Sequence, residues 1–164
     1  MTHRIYFCGS IRAGRQDAEL YQILIKKLQK YGKVLTEHIG LNEPWNAPHL
    51  SGFTLGQEDL AKDKCIFKTD TDWLASADVV VAECTQPSLG VGFELGFAWK
   101  LNKPTLCLYR PLNGTGTAGL SAMITGAASD SWTITHYNEP DELDQAFEQL
   151  FQKLELTKNS NSQC

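Results

Sequence analysis

The sequence has no excess of positive charge. Its 15 Lys and Arg stand against 19 Asp and Glu, a formal net charge of −4. Binding along a nucleic-acid backbone needs a basic face that displaces counterions, so a nucleic-acid polymer is not an expected partner. No apolar run approaches the roughly 18 residues that a membrane-spanning helix requires, so no membrane contact is expected. The stretch MTHRIYFCGS lacks an apolar core of signal-peptide length and leads directly into a strand-like segment. The five cysteines (Cys8, Cys65, Cys84, Cys107 and Cys164) are odd in number, scattered and without a CxxC pair. They read as reduced thiols, mostly buried, and give the expectation of a cytosolic or nuclear protein. His3, His38, His49 and His136 are too scattered to form a metal set, so no metal or other cofactor is expected.

What is present is enough for one globular domain. The 164 residues are 42% hydrophobic and 21% charged, and a chain this long buries roughly 70% of its unfolded surface without staples. Arg4–Cys8 is a short apolar run ending in Gly-Ser, a strand and turn. From Arg15 to Tyr31 the apolar residues Leu20, Ile23, Leu24 and Leu28 recur at helical spacing, and Gly32 is expected to close that helix as a left-handed cap. Lys33–His38 reads as a second strand, and residues 40–56, with Pro44 and Pro48, as a long loop. Leu55–Ser76 reads as an interrupted helix and Asp78–Glu83 as a strand buried on both faces. A helix to Leu101, a strand at Pro104–Arg110, a Gly/Thr-rich loop at Pro111–Gly119, a short helix at Leu120–Ala128 and a strand at Ser131–Tyr137 follow. Pro140 opens a last helix at the favoured first-turn position. Residues 1–156 then form one domain, and 157–164 a polar tail expected to fray. Strands alternating with helices, without a repeat, predict a single-domain doubly wound α/β fold of Rossmann or flavodoxin-like type. It would hold a five-stranded parallel sheet with helices on both faces. Ligands in such sheets bind beyond the carboxyl ends of the strands, where the strand order reverses.

Two glycine turns fall at that edge. GSIRAGRQ (Gly9–Gln16) has Gly9 and Gly14 at phosphate-loop spacing but lacks the Gly-Lys-Ser/Thr ending, which argues against a nucleoside triphosphatase. Backbone N–H groups, Ser10, Arg12 and Arg15 would still suit one phosphate; a tight turn with solvated arginines fits equally well. GVGFELG, with Gly90, Gly92 and Gly96, is one residue off the dinucleotide fingerprint, so no nicotinamide cofactor is expected. It places Glu94 in the first turn of a helix. There a carboxylate either complements the helix dipole or faces a substrate.

Four segments, YFCGSIR (Tyr6–Arg12), LTEH (Leu35–His38), the block from Ala77 to Gly96 that contains TQPSLGVGFELG, and LSAMI (Leu120–Ile124), together resemble nucleotide-hydrolysing members of the nucleoside 2-deoxyribosyltransferase family. The resemblance runs in matching order from Tyr6 to Ala128. It implies cleavage of the N-glycosidic bond of a small-molecule partner, a 2'-deoxynucleoside 5'-monophosphate, through a glycosyl ester. It gives Glu94 the nucleophile's place, Asp70 that of a second carboxylate and Tyr6 that of a hydroxyl positioning Glu94. Asp72 is the competing carboxylate, and the D-x-x-W-L spacing favours Asp70. The phosphate would be held by the first turn, Gly9, Ser10, Ile11, Arg12, Ala13, Gly14 and Arg15, with Ser88 and Gly90. Ala13 replaces a glycine frequent in the family, and His38 matches a base-pocket residue. The resemblance also implies a homodimer in which Ser121 and Met123 cross the interface to phosphate and base. A deoxyribosyltransferase acting on unphosphorylated nucleosides is the first alternative, against which Arg12, Ser88 and Ser121 argue. The second is a non-catalytic nucleotide-binding module, which would have no reason to keep Glu94, Asp70 and Tyr6 together.

Overall fold

An apolar run without polar alternation belongs to a strand covered on both faces. In the computed structural model of the chain, Ile5–Cys8 and Val79–Ala82 are covered in this way, all eight side chains being fully buried. The structure describes residues 2–11, 17–41, 43–44, 47–50, 60–111 and 119–161. In chain order the elements are β1 (His3–Cys8), α1 (Ala18–Leu28), β2 (Gly32–Val34), α2 (Leu60–Ser76), β3 (Val79–Glu83), α3 (Leu89–Lys100), β4 (Thr105–Tyr109), α4 (Ala122–Thr125), β5 (Trp132–His136) and α5 (Asp144–Asn161). The five strands form one parallel sheet in the order β2-β1-β3-β4-β5, with Tyr6 opposite Val80 and Val80 opposite Thr105. This is the doubly wound α/β fold expected from the alternation.

The two-residue period of a strand sorts β1 between two layers. Ile5 and Phe7 pack with Leu24 and Leu28 of α1 and Phe147 and Phe151 of α5. Tyr6 and Cys8 point the other way, into a cluster with Leu74 of α2 and Val91 and Leu95 of α3. The chain leaves β1 toward β2 on one side and returns to β3 on the other, so the order reverses between β1 and β3. The crevice beyond their carboxyl ends is where Tyr6, the first turn and the second turn meet.

Several expectations need correction. Gly32 is not a left-handed cap: α1 ends at Leu28, Gln29 keeps a helical φ of −60°, and Gly32 opens β2. Its lack of a side chain serves strand packing instead, because a Cβ there would overlap the backbone carbonyl of His3. The second strand stops at Val34 rather than His38. Thr36 leaves the ladder by exchanging hydrogen bonds with Phe7, its Oγ1 accepting the Phe7 N–H at 3.0 Å and donating to the Phe7 carbonyl at 2.6 Å. A 3₁₀ turn at Glu37–Gly40 follows. The helix after it is continuous from Leu60, the glycines at 90, 92 and 96 lie inside α3, and the helix near Leu120 is only Ala122–Thr125. The last helix begins with a 3₁₀ turn at Pro140–Leu143 and runs to Asn161, so residues 157–161 are helical rather than frayed. The loop expected at 111–119 falls mostly outside the described residues, as do residues 51–59.

Gly32→Ala is expected to cost about 1–3 kcal/mol, the usual range for forcing a methyl into a packed site. It should lower the midpoint of a chemical denaturation curve; an unchanged midpoint would show that β2 yields freely.

Candidate active site

Beyond the carboxyl ends of β1 and β3 lies a cavity of about 750 Å³. Three elements deliver its chemistry. Tyr6, the fourth residue of β1, faces α3 because of the strand's alternation. On α2, Asp63, Ile66, Phe67, Asp70 and Leu74 recur at i, i+3, i+4, i+7 and i+11, one helix face, and all line the cavity. On α3, Phe93, Glu94 and Phe97 do the same from the opposite wall.

The Tyr6 hydroxyl donates to Glu94 Oε1 at 2.5 Å. Burial raises the Glu94 carboxyl to about 7; the Tyr6 hydrogen bond pulls it down, and the neighbouring Asp70 charge raises it further. Burial alone raises Asp70 to about 6, and its Oδ1 is a buried atom without a hydrogen-bond partner. Burial and the charges of Glu94 and Asp70 push the Tyr6 hydroxyl far above its ordinary value, so it stays a donor. Burial and then the Glu94 charge likewise raise the Cys8 thiol, two residues further along β1. Both carboxyls therefore titrate near the neutral range, Asp70 at about 6 and Glu94 at about 7. Such a pair can supply a carboxylate and an acid at the same pH.

The remaining expected residues divide into three sets. Gly9, Ile11, His38, Ser88 and Gly90 line the same cavity as Tyr6, Glu94 and Asp70. His38 reaches it from the 3₁₀ turn, its ring 5.8 Å from that of Trp73, and not from a strand end. Ser88 is the N-cap of α3, its Oγ accepting the Val91 N–H at 3.4 Å. Gly90 leaves room to spare, since a Cβ there would meet only Ser88 Oγ at 3.7 Å. Ser10 does not line the cavity; it is fully buried, its N–H donating to the Tyr21 hydroxyl at 3.1 Å and its Oγ unpartnered. Arg12, Ala13, Gly14 and Arg15 lie outside the described residues. Asp72 points away, exposed and paired with Lys68 at 2.5 Å, one helical turn back. Among the described residues no cluster of His, Cys, Asp and Glu is arranged to hold a metal ion.

Ser121 and Met123 stand apart from Glu94. They line a second cavity, of about 990 Å³, between α3 and α4, which shares Ser88, Leu89 and Val91 with the first. Ser121 caps α4, accepting the Met123 N–H at 3.3 Å, and Met123 is 86% exposed. Sequence reasoning missed the aromatic wall of Phe67, Phe93 and Phe97, whose rings lie 5.7 and 6.4 Å apart in succession. It also missed Lys62 and Asp63 on the α2 side. The signal was available for α2, since the apolar and acidic positions share one helical face.

A buried pair of titratable carboxyls beside a tyrosine, at the switch point of a doubly wound sheet, is the architecture of an enzyme that works by carboxylate chemistry. The chain belongs to the nucleoside 2-deoxyribosyltransferase family, whose model matches residues 5–141. A Danio rerio relative, 5-hydroxymethyl-dUMP N-hydrolase, is 49% identical over 156 residues, covering 94% of this chain and 99% of that protein. The Homo sapiens 5-hydroxymethyl-dUMP N-hydrolase is 48% identical over 136 residues, 82% of this chain and 72% of its own. A solved structure, that of a Clostridium botulinum CMP N-glycosidase, aligns over 93% of this chain and 98% of its own with a TM-score of 0.49 and 19% identity, too distant to bear on activity.

The carboxyl pair gives two expectations. In a site-resolved NMR titration, Asp70→Asn moves the Glu94 midpoint below about 7 by removing the neighbouring charge. Tyr6→Phe moves it upward by removing the hydrogen bond to the carboxylate. Second, a carboxyl raised from 4.5 to about 7 on folding makes ionisation cost stability as pH climbs through that window. Glu94→Gln should therefore melt above the wild type by a margin that is small near pH 4.5, grows toward pH 7 and stays level beyond. A margin independent of pH would mean that Glu94 titrates normally.

Proposed function

We propose that this protein is an N-glycosidase that hydrolyses 2'-deoxynucleoside 5'-monophosphates to free base and 2-deoxyribose 5-phosphate. The observation that carries the reading is the convergence of Tyr6, Glu94 and Asp70 on one cavity, with the Tyr6–Glu94 hydrogen bond at 2.5 Å. The names of the relatives point to the same reaction and make 5-hydroxymethyl-dUMP the first substrate to try. The Glu94 carboxylate adds to C1' as the C1'–N bond breaks, and the bonding electron pair leaves with the base. Asp70 supplies a proton to the base; in the free protein Glu94, at about 7, holds a proton more firmly than Asp70, at about 6, so the reactive form is the one in which substrate binding leaves the proton on Asp70. Water then adds to C1', loses a proton to Asp70, and releases the Glu94 carboxylate. Tyr6 holds the nucleophile in one orientation and favours its charged form. A 2'-deoxy sugar carries no electron-withdrawing hydroxyl beside C1', so an oxocarbenium-like transition state needs no metal. Gly9, Ile11, Ser88 and Gly90, with Arg12 and Arg15, would hold the 5'-phosphate, while Ser10, buried against Tyr21, would support the first turn from behind. Binding energy far from C1' is thereby used for orientation at the reacting atom. The site of action would be the cytosol or the nucleus.

The reading includes a homodimer. Ser121 and Met123 do not reach Glu94 within the chain, and α3 displays Leu89, 96% exposed, and Trp99, 61% exposed, beside them. Large apolar side chains grouped on one exposed face mark an interaction surface. A second copy seated there would carry its Ser121 and Met123 to this chain's phosphate and base.

The first test is base release from a panel of deoxynucleoside monophosphates, including 5-hydroxymethyl-dUMP, with ribonucleotides and unphosphorylated deoxynucleosides as controls. Release from deoxy monophosphates alone, reduced at least about 10³-fold in Glu94→Ala, is the expected outcome for loss of a nucleophile. Activity that needs an acceptor base and ignores the phosphate would make the protein a deoxyribosyltransferase instead. For the dimer, mixing inactive Glu94→Ala with Ser121→Ala should restore activity. One site of each mixed dimer then receives Glu94 from one protomer and Ser121 from the other. Failure to complement in a verified mixed dimer would place Ser121 in its own chain's site.

A further inference from the structure

A chain of buried polar groups runs behind the cavity without lining it. Glu83, the last residue of β3, is fully buried. Its carboxylate accepts from the Tyr137 hydroxyl at 3.0 Å, from the Thr85 N–H at 3.2 Å and from the Thr85 hydroxyl. Thr85 Oγ1 in turn accepts the Arg110 backbone N–H at 2.8 Å. The Arg110 guanidinium donates to Asp17 Oδ1 at 2.6 Å, and Asp17 is the N-cap residue from which α1 starts. Five residues from five parts of the fold are thus joined end to end: the residue after β5, the end of β3, the start of the second turn, the residue after β4, and the head of α1.

Burying Glu83 and Asp17 beside a single guanidinium is an expensive way to fill space. Apolar side chains of similar volume generally stabilise a fold at least as well. The polar capacity also exceeds what the fold consumes, since Asp17 Oδ2, Arg110 Nε and, in the first turn, Ser10 Oγ are buried without a hydrogen-bond partner. What distinguishes the five residues is where they attach. Thr85 stands three residues before Ser88 in the second turn. Asp17 stands where the chain leaves the first turn, whose entry is held by the Ser10 N–H on the Tyr21 hydroxyl.

We infer that the chain Tyr137–Glu83–Thr85–Arg110–Asp17 is a positioning element that sets the distance between the two turns so that both grip one phosphate. None of the five lines the cavity, so the element acts through the turns. Pre-set geometry of this kind lowers the ordering cost of closing two turns on one anion, and so shows as affinity. The inference rests on the deoxynucleotide reading above. It extends that reading to residues with no place in the chemistry.

The test separates binding from turnover. Arg110→Gln alone would leave the Asp17 carboxylate buried without its cation, so the informative variant is the pair Asp17→Asn/Arg110→Gln, which removes both charges. KM and kcat are measured on the best monophosphate of the panel. The affinity for 2-deoxyribose 5-phosphate, measured by calorimetry, needs no turnover. The expected result is a rise of about tenfold in both KM and the product's Kd with kcat within about twofold, the signature of lost binding geometry. Arg110→Lys, which keeps a charge opposite Asp17, should lie between wild type and the pair. If the paired variant fails to fold, Thr85→Val cuts the chain at its middle with volume nearly unchanged, and the same constants are read. Unchanged KM and Kd in a folded variant would reduce the network to a structural role. A fall in kcat with KM unmoved would place it in the chemistry; either overturns the inference. Should the wild type bind 2-deoxyribose 5-phosphate but release no base, the functional reading fails while the calorimetry still decides the positioning claim.

Discussion

The hydrogen bond from Tyr6 to Glu94 joins the sheet to the helix layer at the carboxyl that faces the cavity. Tyr6 reaches it because β1 is an interior strand of the sheet and its alternate residues face α3. Glu94 reaches it because Ser88 starts α3 where the chain leaves β3. A carboxyl in such a place would ordinarily be neutral. The tyrosine hydroxyl lowers the cost of its charge, and the nearby Asp70 raises it again, so the group comes to rest near neutrality, at about 7. An apolar residue at position 94 would pack more easily and do nothing.

The same balance explains the composition of the cavity. Ile66, Phe67, Phe93 and Phe97 line the cavity beside the carboxyls, whose own burial is the largest cause of both raised values. The wall is apolar surface, and the burial of Asp70 and Glu94 holds their protons into the neutral range. Around the other end of the sheet crevice the problem is solved differently. There Glu83 accepts from Thr85 and Tyr137, and Asp17 pairs with Arg110, so these groups are held in place and kept out of the cavity. One edge of one sheet thus carries an acidic pair for chemistry and a hydrogen-bonded polar network for geometry.

The face formed by α3 and α4 carries exposed apolar side chains. Leu89, Trp99 and Met123 are exposed beside a cavity of about 990 Å³ that adjoins the acidic one through Ser88, Leu89 and Val91. Gly92 and Gly96 would meet nothing within 4 Å if given a Cβ. Their absence of side chain is thus not required by this chain's own packing, and it leaves α3 able to be approached closely from outside.

The fold class and the order of the elements were legible in the sequence, because apolar runs and helical periodicity are local signals that survive without knowledge of what packs where. Glu94, Asp70 and Tyr6 are named as a group by the family resemblance, since taken singly Glu94 reads as a helix cap and Tyr6 as a strand aromatic. The preference for Asp70 over Asp72 comes from the D-x-x-W-L spacing of the resemblance, and the fold turns Asp70 to the cavity and Asp72 to Lys68. What the tertiary structure alone decided are matters of partnership. It ended β2 at Val34 because Thr36 finds its hydrogen bonds on Phe7, 29 residues away. It gave Gly32 a packing role against His3 in place of a cap. It raised two carboxyls by burying them between β1, α2 and α3. It also joined Asp17 to Arg110 across 93 residues. Periodicity reports which face a residue shows; only the folded chain determines what it faces.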